Sequence, residues 1–77
     1  MVHQEIIKAK LALIKINGQK YKFYPPLSIS ELITYLGFNK QIIVVDYNKT
    51  VLPKECWTTT SIKNDDAIEI LTIAGGG

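Results

Sequence analysis

The chain contains no arginine: all nine of its basic residues are lysines, and the formal net charge is only +2. Without a guanidinium there is no rigid fork for bidentate contacts to phosphate or guanine, which argues against sequence-specific nucleic-acid recognition. There is one cysteine, Cys56, so no intramolecular disulfide can form, and a reducing compartment suits the chain. The one histidine, His3, and that one cysteine fall short of a zinc ligand set, so no metal site is expected. Apolar runs are short, "IIVV" at Ile42–Val45 being typical, and none is long enough for a membrane-spanning helix. Glu5 interrupts the stretch where a secretory signal would need its apolar core. A cytosol-like space is therefore expected, either bacterial cytoplasm or plastid stroma.

Catalytic groups are equally scarce. Serines are present without a base placed to activate one. Cys56, beside Trp57, reads as a buried structural thiol, and Glu55, Asp65 and Asp66 read as turn or surface carboxylates. The glycines at 75–77 follow no strand-to-helix turn, which excludes a phosphate-cradling loop. No catalytic residue, metal or bound cofactor is expected, and the chain does not read as an enzyme.

What is present is the patterning of one small folded domain. Apolar residues make up 47% of 77, too many for a disordered chain and enough for one modest core. Leu11–Ile16 and Gln19–Tyr24 flank Asn17-Gly18, a strong hairpin signal. A two-residue loop sets Ile14 opposite Tyr21 and Ala12 opposite Phe23 on one face. Leu13, Lys15, Lys20 and Lys22 then share the other. Pro25-Pro26 ends the second strand. Ser28 and Glu31 form a capping box, Ile29, Leu32, Ile33 and Leu36 recur at helical spacing, and Gly37 closes the helix. Ile42–Tyr47 predicts a third strand, Val51–Leu52 a short fourth, Pro53–Trp57 a single helical turn, and Ala67–Ile73 the last strand. The predicted core is Ile14, Tyr21, Phe23, Leu32, Ile33, Leu36, Val45, Ile68 and Ile70. This order predicts an α+β domain, a mixed sheet of four to five strands packed on one main helix.

Period-2 alternation leaves Leu13, Ile42, Val44, Leu71 and Ile73 facing outward, and together they predict an exposed apolar partner-binding patch. The last strand then runs into "AGGG". Glycine is the costliest residue to order, so fold stability gives no reason for three in a row. Entry of the tail into a narrow site does.

The Asn-Gly hairpin, "SISELITYLGF", "IIVVDYNKTVLPKECW", "KNDDAIEI" and the terminal "AGGG" together resemble the ThiS-type sulfur carriers of thiamin biosynthesis, which are ubiquitin-like β-grasp domains. The resemblance covers residues 11–77 and leaves 1–10 as an N-terminal extension. The family often has glycine where this chain has Asn64 before Asp65, and Asn-Gly where it has Asn48-Lys49; asparagine tolerates left-handed backbone at both turns. The resemblance implies that the Gly77 carboxylate is adenylated by a ThiF-like enzyme using ATP. It further implies conversion to a thiocarboxylate with sulfur from a cysteine desulfurase system, and delivery to thiazole synthase. Gly75 and Gly76 would line the extended tail, and the free protein would be a monomer. Carriers of the same fold serving molybdopterin synthesis or tRNA thiolation remain alternatives, as does a ubiquitin-like protein modifier.

Overall fold

The structure is a computed structural model and describes residues 10–73. Gly75, Gly76 and Gly77, and the extension up to residue 9, lie outside the described residues.

Two strands, β1 (Ala12–Ile16) and β2 (Gln19–Phe23), form the hairpin. Its register is the one the alternation dictates, with Ala12 opposite Phe23, Ile14 opposite Tyr21 and Lys15 opposite Lys20. Asn17 and Gly18 both take positive φ, at 51° and 84°, as a two-residue turn between right-twisted strands requires. Helix α1 (Ile29–Leu36) starts on a reciprocal capping box: the Glu31 amide donates to Ser28 Oγ at 3.0 Å, and the Ser28 amide donates to Glu31 Oε1 at 2.8 Å. Gly37, left-handed at φ 83°, ends it by donating to the carbonyls of Ile33 and Thr34.

Strand β3 (Ile43–Tyr47) begins one residue later than the sequence suggests, because Ile42 closes a 3-10 turn over Lys40–Ile42. A tight turn leads to β4 (Thr50–Leu52), a second 3-10 turn follows at Lys54–Cys56, and β5 (Ala67–Thr72) completes the sheet. The order is β2-β1-β5-β3-β4, with β1 and β5 parallel and the other pairs antiparallel. The last strand to be made therefore lies in the middle, between the hairpin and β3.

One sheet face packs on α1. Ala12, Ile14, Ile16, Ile43, Val45, Ile68 and Ile70 meet Ile29, Leu32 and Ile33 of the helix, all buried. Every predicted core residue joins this cluster; Tyr21, Phe23 and Leu36 sit at its margin, partly buried. Two further members, Trp57 and Ile62, come from the irregular segment between β4 and β5. That segment is stitched to the helix entrance, since the Ile29 and Ser30 amides donate to the carbonyls of Thr60 and Trp57, and the Ile62 amide to Leu27. Trp57, not Cys56, fills the core position; the Cys56 thiol is free and only partly buried.

The two turns that depart from the family pattern use an unexpected residue. Lys49 at φ 71° and Asp65 at φ 72° hold left-handed backbone themselves, with Asn48 beside Lys49 at 52°. A side chain in that region costs about 1 kcal/mol or more. Lys49→Gly is accordingly expected to raise stability by about 1 kcal/mol, read as a higher urea midpoint with unchanged slope.

Candidate functional site

The short parallel ladder of β1 and β5 explains how Leu71 and Ile73 come to lie at one end of the sheet. Only Lys15 with Ala67 and Ile16 with Ile68 are paired. Asparagine side chains continue the ladder at both ends. Before it, the Leu13 amide donates to Asn64 Oδ1 at 2.9 Å. Beyond it, the Ile70 amide donates to Asn17 Oδ1 at 2.8 Å, and Asn17 Nδ2 donates to the Ile70 carbonyl at 3.2 Å. The hairpin loop thus clamps β5 just before the strand passes the edge of β1. Past Ile70 the strand is held by β3 alone, through Leu71 opposite Val44 and a final bond from the Ile73 amide to the Ile42 carbonyl at 2.7 Å.

The outward face at this end carries Leu71 and Ile73, about half exposed, beside the partly buried Val44. Ile42 reaches the same edge but packs partly against the core. Leu13 does not join them. Its carbonyl accepts from the Asp65 amide, so it lies level with residue 65, six residues and about 20 Å along the strand from Leu71. The predicted patch of five is thus two separate surfaces. One lies at the end of the sheet where Ile73, the last described residue, is bonded; the other is at the far end.

Sequence reasoning missed one polar centre. Asp66, read from the sequence as a turn or surface carboxylate, is a buried residue of the turn, and its carboxylate accepts from Tyr47 Oη at 2.7 Å, Asn48 Nδ2 at 3.0 Å and the Lys63 amide at 2.7 Å. These partners tie the turn before β5 to the end of β3. Burial, reinforced by the hydrogen bond and the negative charge of Asp66, pushes the Tyr47 phenol from its ordinary 10 up to about 12. A phenol whose folded pKa is raised stabilises the fold fully below pH 10, and that contribution is lost as pH rises through 12. The thermal midpoint is therefore expected to fall more steeply between those limits in the unaltered chain than in Tyr47→Phe. Parallel curves would show that the phenol has no such role.

Among the described residues no cluster of three or more His, Cys, Asp or Glu is placed to hold a metal, and no helix is long and apolar enough to cross a membrane.

A five-stranded mixed sheet wrapped on one helix, with the C-terminal strand central and leaving past its neighbour, defines a ubiquitin-like β-grasp domain. The model of the ThiS family matches residues 14–77, and the chain belongs to that family. It is 42% identical over 64 residues to the ycf40 protein of Porphyra purpurea, spanning 83% of this chain and 90% of that one. The sulfur carrier protein ThiS of Bacillus subtilis is 27% identical over 66 residues, which cover 84% of this chain and all of that protein. A thiazole synthase of Paramagnetospirillum magneticum is 27% identical over 62 residues, covering 80% of this chain but only 19% of the synthase. The crystal structure of the thiamine biosynthesis protein ThiS of Geobacter metallireducens superposes with a TM-score of 0.73 at 29% identity, over 84% of this chain and 99% of that one.

Proposed function

We propose that this chain carries sulfur on its C-terminal carboxylate for thiazole formation in thiamin biosynthesis. The observation that carries the reading is the match to the ThiS family through Gly77, on a fold whose last strand exits at an exposed apolar edge. A free carboxylate is a poor acyl acceptor for sulfur, because its leaving group would be oxide. In the proposed chemistry the Gly77 carboxylate attacks the α-phosphate of ATP and pyrophosphate leaves. The outer sulfur of a persulfide then attacks the acyl carbon and AMP departs, leaving an acyl disulfide; a thiol cleaves its S–S bond, forming a new disulfide and releasing the thiocarboxylate. ATP belongs to the activating enzyme, a ThiF-like partner, and sulfur comes from a cysteine desulfurase system. The chain is the substrate of those enzymes and supplies no catalyst. Gly75 and Gly76 let the tail lie extended in a channel where a Cβ would collide.

Thiazole synthase is the proposed acceptor. The thiazole synthases of Paramagnetospirillum magneticum and Magnetococcus marinus each contain a stretch similar to this chain that makes up about a fifth of their length. The exposed Leu71 and Ile73, with Val44 and the edge of Ile42, form the apolar surface on which tail-processing partners dock. The relatives bearing the ycf40 name support the plastid stroma as the compartment.

Intact mass of the protein isolated from its source tests the reading. The expected result is a population heavier by the exchange of one oxygen for sulfur, sensitive to alkylation at the terminus. Adducts to other proteins through the terminal carbonyl would instead show a modifier. A terminus that stays a plain carboxylate when activating enzyme, ATP and sulfur donor are all supplied would overturn the proposal.

A further inference from the structure

The far end of the outward sheet face has the composition of a second contact surface. Leu13 is on this face and 48% exposed, and Leu11 and Tyr24, which flank the paired residues of the hairpin, are 38% and 65% exposed. Lys15, Lys20 and Lys22 share the face and are all exposed, with Leu13 opposite Lys22 and Lys15 opposite Lys20. A lysine pair directly across two strands is unfavourable when it stands alone. Both of these lysines wall a hollow whose other sides include Leu13, Asp65, Asp66 and Ala67. On the far side of Ala67, Asp46 faces Glu69, and Lys49 lines the same hollow. The face is thus banded: apolar and basic at the end away from Ile73, mixed in charge in the middle, apolar again at Leu71 and Ile73.

We propose that the basic band is a second docking surface, completed by a protein partner that presents carboxylates around an apolar projection. A carboxylate set between Lys15 and Lys20 relieves their repulsion, and the projection covers Leu13 and Tyr24. The alternatives fit less well. Asp65 on the wall of the hollow repels a dense polyanion such as RNA or an anionic membrane, whereas single carboxylates on a protein meet the lysines one at a time. Lysines also offer point charges and no bidentate grip on phosphate. Lying about 20 Å from the tail-side surface, the band gives the partner two anchors. That fixes the direction in which the tail enters, which one small apolar contact does not. The inference rests on the sulfur-carrier reading for its partner, thiazole synthase.

The test measures binding of the full chain to thiazole synthase from the same source. Three forms are compared: the unaltered chain, the Lys20→Glu/Lys22→Glu double variant, and Leu71→Asp. Lys20→Glu replaces a repulsive cross-strand pair with an attractive one, so the thermal midpoint of the double variant should not fall. Its affinity is expected to drop about tenfold at low salt, narrowing to less than about threefold at about 0.5 M salt, where exposed charges are screened. Leu71→Asp is expected to weaken binding at both salt concentrations. Vesicles containing phosphatidylserine should not retain the unaltered chain. Equal affinity of the double variant and the unaltered chain would overturn the inference while leaving the carrier reading intact. Lysine-dependent retention on the vesicles, with synthase binding unchanged, would overturn it in favour of a membrane. If the unaltered chain does not bind the synthase at all, the choice of partner falls and this inference falls with it.

Discussion

Truncating Leu32 to alanine is expected to remove about 2–5 kcal/mol of stability. Leu32 is fully buried in the second turn of α1, in a cluster with Ile29 and Ile33 of the helix and Ile14, Val45 and Ile68 of the sheet, all 2% exposed or less. The loss has two parts, the transfer free energy of the missing carbons and the cavity that remains. Collapse into that cavity is resisted because the helix is pinned at both ends. Its entrance is fixed by the Ser28–Glu31 box and by bonds to Thr60 and Trp57, and its exit by Gly37. A domain of this size has roughly 4–11 kcal/mol in total, so a large part of the population should unfold at physiological temperature. Urea denaturation provides the measurement, with Leu36→Ala as the comparison, since Leu36 is only partly buried and should lose less. A loss below about 1 kcal/mol for Leu32→Ala would show that the core is not organised around the helix in this way.

The elements legible in the sequence were those whose determinants lie within a few residues of one another. Asn17-Gly18 fixes the hairpin register because the turn and the alternation agree, and Ser28, Glu31 and Gly37 bound the helix through contacts within one turn. The site was less legible. Alternation assigns a residue to a face, but not to a height along a neighbouring strand. Nothing local to Leu13 or Leu71 reveals that β1 and β5 pair only at Lys15–Ala67 and Ile16–Ile68, so one patch was expected where there are two. The burial of Asp66 was missed for a related reason. Its partners come from residues 47, 48 and 63, and a carboxylate in "NDD" looks like any turn residue until β3 and β5 are brought together. The irregular segment that contributes Trp57 and Ile62 to the core has no period to read. At the first turn Asn48 is left-handed as its side chain allows, but Lys49 is too, and at the second the left-handed residue is Asp65 rather than Asn64, which no local preference indicates.

Appending one alanine after Gly77 is expected to abolish ATP–pyrophosphate exchange by the cognate activating enzyme. Ile73 is the last residue bonded to the sheet among those described, and Ala74, Gly75, Gly76 and Gly77 follow it in the sequence. Four residues reach at most about 14 Å when extended, so with the domain docked through Leu71 and Ile73 the carboxylate reaches a fixed depth. One more residue carries the carboxylate past the α-phosphate and sets a methyl beside the carbon that must react. Deleting Gly77 is a poorer test, because a shortened Gly-Gly end can still react if the domain docks slightly closer. Gly76→Val is the complementary variant: it keeps the length and adds a branched side chain where the channel must be narrow. Both changes follow Ile73, the last described residue, in the sequence; neither is expected to shift the thermal midpoint, and the loss is expected in exchange alone. Loss in the extended chain with normal exchange in Gly76→Val would mean that length matters and channel width does not. Full exchange in both would mean that the end of this chain is not the group activated, and the carrier reading would fail with it.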